Sequence, residues 1–182
     1  KSNQSIYDID FNNFTYPEPK EICLSSIYSK EECPEKNQKI TVKDGQKIGD
    51  WNLGGEDIIK VNQIIYNDFN NDGLIDALID LRLLPMGASY SSYCIPYIYT
   101  FKENKTILLN QFALRPIEMR NFDFLSSMGR WYLRTDKNKI ILGDDLYLGK
   151  VARCCPKYGV EYIGEYINYN EILWTLKFLN VN

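Results

Sequence analysis

A mainly β fold, an antiparallel sheet built of hairpins in a single domain, is what this sequence predicts, on three observations. Short runs rich in Ile, Val, Tyr and Leu recur along the chain, separated by Asp-Gly, Asn-Lys and Asp-Lys-Asn breaks that read as tight turns. Tyrosine outnumbers phenylalanine, 14 to 8, a balance that favours strands over helices. A length of 182 residues is enough for one domain to bury a real core without metals or cross-links.

Taken in order, residues 5–16 alternate loosely through Ile6, Ile9, Phe11, Phe14 and Tyr16. They predict an edge strand or extended arm closed by Pro17 and Pro19. Residues 21–36 hold Cys23 and Cys33 among polar neighbours, a loop or short helix that completes an N-terminal arm over 1–36. The sheet core is expected over 37–182. Its first hairpin pairs 40–42 with 47–48 around Asp44-Gly45, because Asp-Gly supplies the positive φ of a two-residue turn. Residues 58–66 form the next strand. Residues 77–84 are apolar enough for a central strand and stop at Pro85, which leads into a small-residue loop over 86–93.

A second hairpin joins 94–103 to 106–112 across Asn104-Lys105, with Tyr97, Tyr99 and Phe101 on one face by the period of two. Residues 114–128 are the most helix-compatible stretch and predict a helix or mixed turn. A third hairpin joins 130–135 to 139–142 across Asp136-Lys137-Asn138. Gly143-Asp144-Asp145 predicts a turn before 146–148, the stretch 151–157 carries Cys154 and Cys155, and two last strands span 160–168 and 171–179. The total is about nine or ten strands, with no linker and no internal repeat.

A net charge of −3, with both signs spread along the chain, offers no footprint for nucleic acid. No apolar run is long enough for a transmembrane helix. The polar opening Lys1-Ser2-Asn3 suits a mature or trimmed start as well as a cytosolic one. Five cysteines without metal-ligand spacing, in a chain with no histidine, are best explained as disulfides of an oxidising compartment. Cys23 and Cys33 are close enough for a local bridge, Cys94 has Cys154 or Cys155 as its partner, and a fifth thiol is left over.

The chain is organised around Asp68-Phe-Asn-Asn-Asp-Gly-Leu-Ile-Asp76. Asp68, Asn70 and Asp72 stand at ligand positions 1, 3 and 5 of a calcium loop, Gly73 at its sharp turn, Leu74 at the backbone-carbonyl position and Asp76 at position 9. Position 12, a bidentate Glu in the helical EF-hand, is Ile79, and both flanks are β-prone. The motif therefore sits between strands, and two readings stay open. Either it holds a structural calcium ion, or its Asp and Asn side chains cap the loop's own backbone N–H groups.

The block from Tyr66 to Asp80 resembles a motif of bacterial cell-envelope lipoproteins of the LppP/LprE type, and is similar to the calcium loops of FG-GAP repeats. Arg153-Cys154-Cys155-Pro156 resembles the Cys-Cys-Pro segment of the same lipoproteins, and Ile9–Pro17 before a Lys-Asp-Gly hairpin is a further likeness. Asn71 departs from the family, which usually has glycine there. The resemblance implies an exported bacterial protein, periplasmic, outer-membrane-attached or extracellular. It has no assigned reaction, and a lipid anchor would belong to residues before Lys1.

Catalytic signatures are missing. Without histidine there is no Ser-His or Cys-His pair, and no phosphate loop or nucleophile elbow occurs. The acid pairs Asp144/Asp145 and Glu161/Glu165 read as turn and strand carboxylates rather than as hydrolase acids. Sequons at Asn3, Asn13 and Asn104 carry little information in so Asn-rich a chain. The expectation is thus a non-enzymatic binding or structural module whose partner is another protein or an envelope component. The alternative is a periplasmic immunity or inhibitor protein that blocks a secreted toxin or hydrolase. Partner contacts are expected at Tyr90, Tyr93, Tyr97, Tyr99, Tyr162 and Tyr166, whose rings either pack the sheet or present a flat amphipathic surface.

Overall fold

The computed structural model describes residues 4–17, 39–50, 56–84, 93–111, 125–127, 132–148, 158–168 and 171–180. Within them the protein is mainly β, antiparallel throughout, in one compact domain. The strands are β1 (Thr15–Pro17), β2 (Lys39–Thr41), β3 (Gln46–Asp50), β4 (Glu56–Asn67), β5 (Asp76–Leu84), β6 (Tyr93–Lys102), β7 (Lys105–Gln111), β8 (Leu125–Ser127), β9 (Tyr132–Asp136), β10 (Lys139–Leu148), β11 (Tyr158–Asn168) and β12 (Glu171–Asn180). A central sheet runs β3-β4-β5-β6-β7. A second runs β12-β11-β10-β8, with β9 also paired to β10, and β1 and β2 form a two-stranded ribbon.

The central sheet is covered on both faces. On one side Ala77, Ile79, Leu81, Ile95, Tyr97 and Tyr99 pack with Ile6, Phe11, Tyr16, Ile40 and Val42 from the N-terminal part. On the other, Leu78, Cys94 and Ile98 pack with Leu133, Ile140, Leu142, Val160 and Tyr162 of the second sheet. The result is three layers, and β5 and β6, buried on both faces, form the middle.

Of residues 5–16, read as an edge strand or extended arm, only Thr15 and Tyr16 are in a strand, the start of β1. The residues before it form two 3-10 turns, Ile6–Asp8 and Phe11–Asn13. Asp8 accepts from Ser5 N at 2.7 Å, and Asp10 accepts from Asn12 N at 3.1 Å. These local side-chain bonds satisfy the backbone without a ladder, and the apolar residues between them, Ile6, Phe11 and Tyr16, enter the core.

The Asp44-Gly45 turn forms, with φ of 49° and 79°, and Lys43 and Gln46 exchange backbone hydrogen bonds across it. Its two arms then part: β2 pairs with β1, and β3 with β4. The second hairpin turns at Glu103-Asn104, both at positive φ, one residue earlier than the Asn104-Lys105 reading, with Lys102 opposite Lys105. The third turns at Lys137-Asn138, as Asp136 pairs with Lys139.

Gly143-Asp144-Asp145 is not a turn; it lies inside β10, paired to β11 from Ile140 to Leu146. Gly143 is there because the Tyr132 ring occupies its missing side chain's place, where a Cβ would come within 1.9 Å of ring carbon. Of the stretch read as helix or mixed turn, 125–127 is a strand on β10, and the rest lies outside the described residues.

Candidate functional site

The loop between β4 and β5 is built as the Asp/Asn spacing requires. Asp68 accepts from Asp72 N at 3.1 Å and from Gly73 N at 2.9 Å; Asn70 accepts from Asp72 N at 3.1 Å; Asp72 accepts from Leu74 N at 2.8 Å. Asn71 and Gly73 supply the positive φ values, 58° and 85°. Asn71 thus adopts the left-handed conformation glycine favours, which Asn tolerates better than most residues.

Asp76 closes the loop from inside. Its Oδ2 accepts from Phe69 N at 3.1 Å, while Oδ1 is buried and makes no hydrogen bond of good geometry. Thr100 stands directly opposite on β6, its hydroxyl likewise buried. Burial pushes the Asp76 carboxyl up to about 6; Thr100 and the Phe69 N–H pull it back, and the charges of Asp72 and Asp68 push it further up.

The loop also ties the sheets together. Phe69 is fully buried in the cluster shared with the second sheet. Asn138 donates to Asn71 at 3.2 Å, and Asn67 donates to the Lys137 carbonyl. Among the described residues no three Asp, Glu, Cys or His side chains are grouped so as to hold a metal ion. The loop's donors fit calcium by their chemistry: oxygen only, with a buried carboxylate oxygen left over at the closing position.

A second polar centre lies on the same face of β5, two residues apart by the strand period. Asp80 and Arg82 form a buried ion pair, with Nη2 at 2.8 Å and Nε at 2.9 Å from Oδ2. Asn62 donates to Oδ2 at 2.9 Å, and the Cys94 thiol to Oδ1 at 2.9 Å. Cys94 is a buried free thiol in the structure. Burial, then the Asp80 charge, pushes its ionisation well up. Cys23, Cys33, Cys154 and Cys155 lie outside the described residues.

Asn62 is present because β4 carries a bulge between Val61 and Gln63. Before it, Ile59 and Val61 face the N-terminal layer; after it, Ile64 and Tyr66 do. The inserted residue switches the parity of the strand and turns Gln63 and Ile65 toward the second sheet. Beside the bulge a cleft of about 410 Å³ is lined by Lys60, Asn62, Gln63, Arg82, Leu84, Tyr132 and Leu133. Gln63 donates to the Leu133 carbonyl at 2.7 Å across its base. At one wall Tyr132 and Arg134 donate to Glu161, at 2.9 and 2.8 Å. Burial would raise that carboxyl, but the two hydrogen bonds and the Arg134 charge hold it below the usual range.

The tyrosines expected to meet a partner are mostly interior. Tyr97 and Tyr99 face the core, Tyr97 donating to the Pro17 carbonyl at 2.7 Å and setting its ring tilted against Tyr16 with centroids 5.0 Å apart. Tyr162 is buried between the sheets, and Tyr166 packs half-buried against the same cluster. Period-two spacing put these rings on one face, but that face is inside. Tyr90 lies outside the described residues, and Tyr93 is described only as part of β6. Sequence reading missed Asn62, Lys60 and Tyr132; the one available signal was Asn62-Gln63 interrupting an apolar strand, as a bulge does.

No family model, no curated protein and no solved structure matches the chain.

Proposed function

We propose that this protein is a non-enzymatic, exported module of the bacterial cell envelope, with a binding or structural role, whose 68–76 loop takes up calcium as a structural ion. The observation that carries the calcium reading is Asp76 Oδ1, buried and without a hydrogen bond of good geometry at the closing position of an all-oxygen loop. Asp68, Asn70, Asp72 and Asp76 would hold the ion with the Leu74 carbonyl. The ion would supply the positive charge that the buried carboxylate lacks. Because the same loop seats Phe69 between the sheets, calcium would hold the layers together. Export rests on the resemblance of the Tyr66–Asp80 block and Cys154-Cys155-Pro156 to envelope lipoproteins. The test is thermal unfolding with calcium and with chelator. The wild type melts several degrees higher with calcium, a shift absent from Asp72→Ala; equal wild-type temperatures reject structural calcium.

A second reading, an immunity or inhibitor protein, is favoured by one observation. Leu173 and Phe178 on the edge strand β12 are 57% and 58% exposed, and Ile167 on β11 is 56% exposed. On this reading the purified protein forms a stoichiometric complex with the product of an adjacent toxin gene. Leu173→Glu with Phe178→Glu would abolish that complex, and a complex indifferent to both changes would move the interface elsewhere.

A further inference from the structure

β12 stands at the end of the second sheet, in the order β12-β11-β10-β8 among the described residues. It pairs with β11 without interruption from Ile172 to Asn180, so no bulge bends it there. It has no proline, and between its ends Lys177 is its one charged side chain. A long, regular, apolar strand at a sheet edge is a template for another strand, and β12 itself carries few of the residues that guard against such pairing.

Its side chains point to the same kind of partner. Phe178 is opposite Val160 of β11, on the face that packs between the two sheets. Val160 is completely buried there, yet Phe178 is 58% exposed. Leu173, on the other face of β12, is 57% exposed. A partner lying on one face of the sheet would cover one of these two side chains. A further strand beside β12 would flank both, because its own side chains alternate between the same two faces.

The strand that fits is a second copy of β12. Antiparallel pairing about a twofold axis perpendicular to the sheet keeps each face continuous, so residues of like parity meet. With the axis at Thr175, the whole stretch 171–179 is paired. Phe178 then lies opposite Ile172 of the second copy, Leu173 opposite the alkyl stem of Lys177, and the two Thr175 side chains opposite each other, a favourable pair in a ladder. Lys177 is diagonal to Glu171 of the second copy, its opposite in charge. Moving the axis to Trp174 leaves Phe178 past the end of the second strand, and moving it to Leu176 makes the two Lys177 side chains diagonal neighbours. The Thr175 register alone of these three covers Phe178 and keeps like charges apart.

We propose that the protein forms a homodimer in which β12 pairs with β12 of a second copy about an axis at Thr175, making one continuous sheet of the two second sheets. The dimer goes beyond the function proposed above, since it requires neither calcium nor a toxin.

The experiment is sedimentation velocity of the full chain at low ionic strength over a range of concentrations, with a non-reducing denaturing gel of the same samples. The wild type is expected to sediment as a monomer–dimer equilibrium and to run as a monomer on the gel. Thr175→Lys and Thr175→Glu, at an exposed position on the axis, each set like charges directly opposite and should weaken the dimer about tenfold. Mixed one to one, the two variants should regain a dimer at least as tight as the wild type's, because Lys then faces Glu. Ile107→Lys, on the edge strand β7 of the central sheet, should dimerise as the wild type does. A wild type that stays monomeric, a disulfide-linked dimer, single variants as tight as the wild type, a mixture that regains nothing, or equal weakening by Ile107→Lys would each overturn the proposal. Circular dichroism of each variant shows whether it is folded.

Discussion

Asp76 is the residue at which the loop's stability and its chemistry meet. Its carboxyl is held at about 6, above the ordinary 3.8, first by burial. The folded state therefore keeps a proton that the unfolded chain has already released between those values. The sign follows: the ionised group disfavours folding above about pH 6, and stability gained from this group rises as pH falls from about 7 toward 4. A shift of this size corresponds to at most about 3 kcal/mol. Asp76→Asn keeps an acceptor for the Phe69 N–H and removes the buried charge. In chelator it should be more stable than the wild type at pH 7.5, by about 1–3 kcal/mol in denaturant unfolding. The gap should close near pH 4.5; a gap independent of pH would show that ionisation of Asp76 is not the cause. With calcium the order should reverse, because the ion favours the carboxylate that asparagine lacks.

At the scale of elements, the 68–76 loop and the β4 bulge do different work on the same sheet. The loop was legible: alternate Asp and Asn around Gly73 are what a self-capped turn needs, and every one of those side chains caps a backbone N–H. Its docking was not, because Phe69 points into a cluster whose other members lie between Leu78 and Tyr162 in sequence. Phe69→Ala should cost about 3–5 kcal/mol as a large-to-small core change. Hydrogen exchange should quicken more in β9–β11 than in β5 and β6, since the other face of the central sheet keeps its own cluster. Uniform loosening of both sheets would argue against the loop as a clasp. The bulge, by contrast, left only Asn62-Gln63 within an apolar run. One inserted residue reverses which side chains face inward, and only pairing partners reveal it.

For the whole molecule, three layers explain why so many surface expectations turned inward. Strands covered on both faces bury every side chain, so period-two spacing in β6 separates two interiors rather than an inside from an outside. Tyr97 and Tyr99 became core residues for that reason, and Cys94, on the opposite face, donates to Asp80. The same double coverage accounts for the Asp80–Arg82 pair. An ion pair removed from water is costly to desolvate, and here Asn62 and Cys94 satisfy oxygens that would otherwise be unpaired. Among the described residues the most exposed apolar side chains are Tyr7 in the N-terminal part and Ile167, Leu173 and Phe178 on β11 and β12 of the second sheet.

What the sequence determined by itself was local: the antiparallel β class, the Asp44-Gly45 and Lys137-Asn138 turns, and the capped loop from Asp68 to Asp76. Each depends on φ preferences and side-chain reach over a few residues, and these act before any long-range contact forms. The tertiary structure decided which strands became neighbours, separating β2 from β3 despite their well-formed turn. It also decided which side of β4 faced inward, and it brought Lys60 opposite Arg82. Those outcomes depend on register and layer packing, which a one-residue insertion can reverse and which no short stretch of sequence encodes.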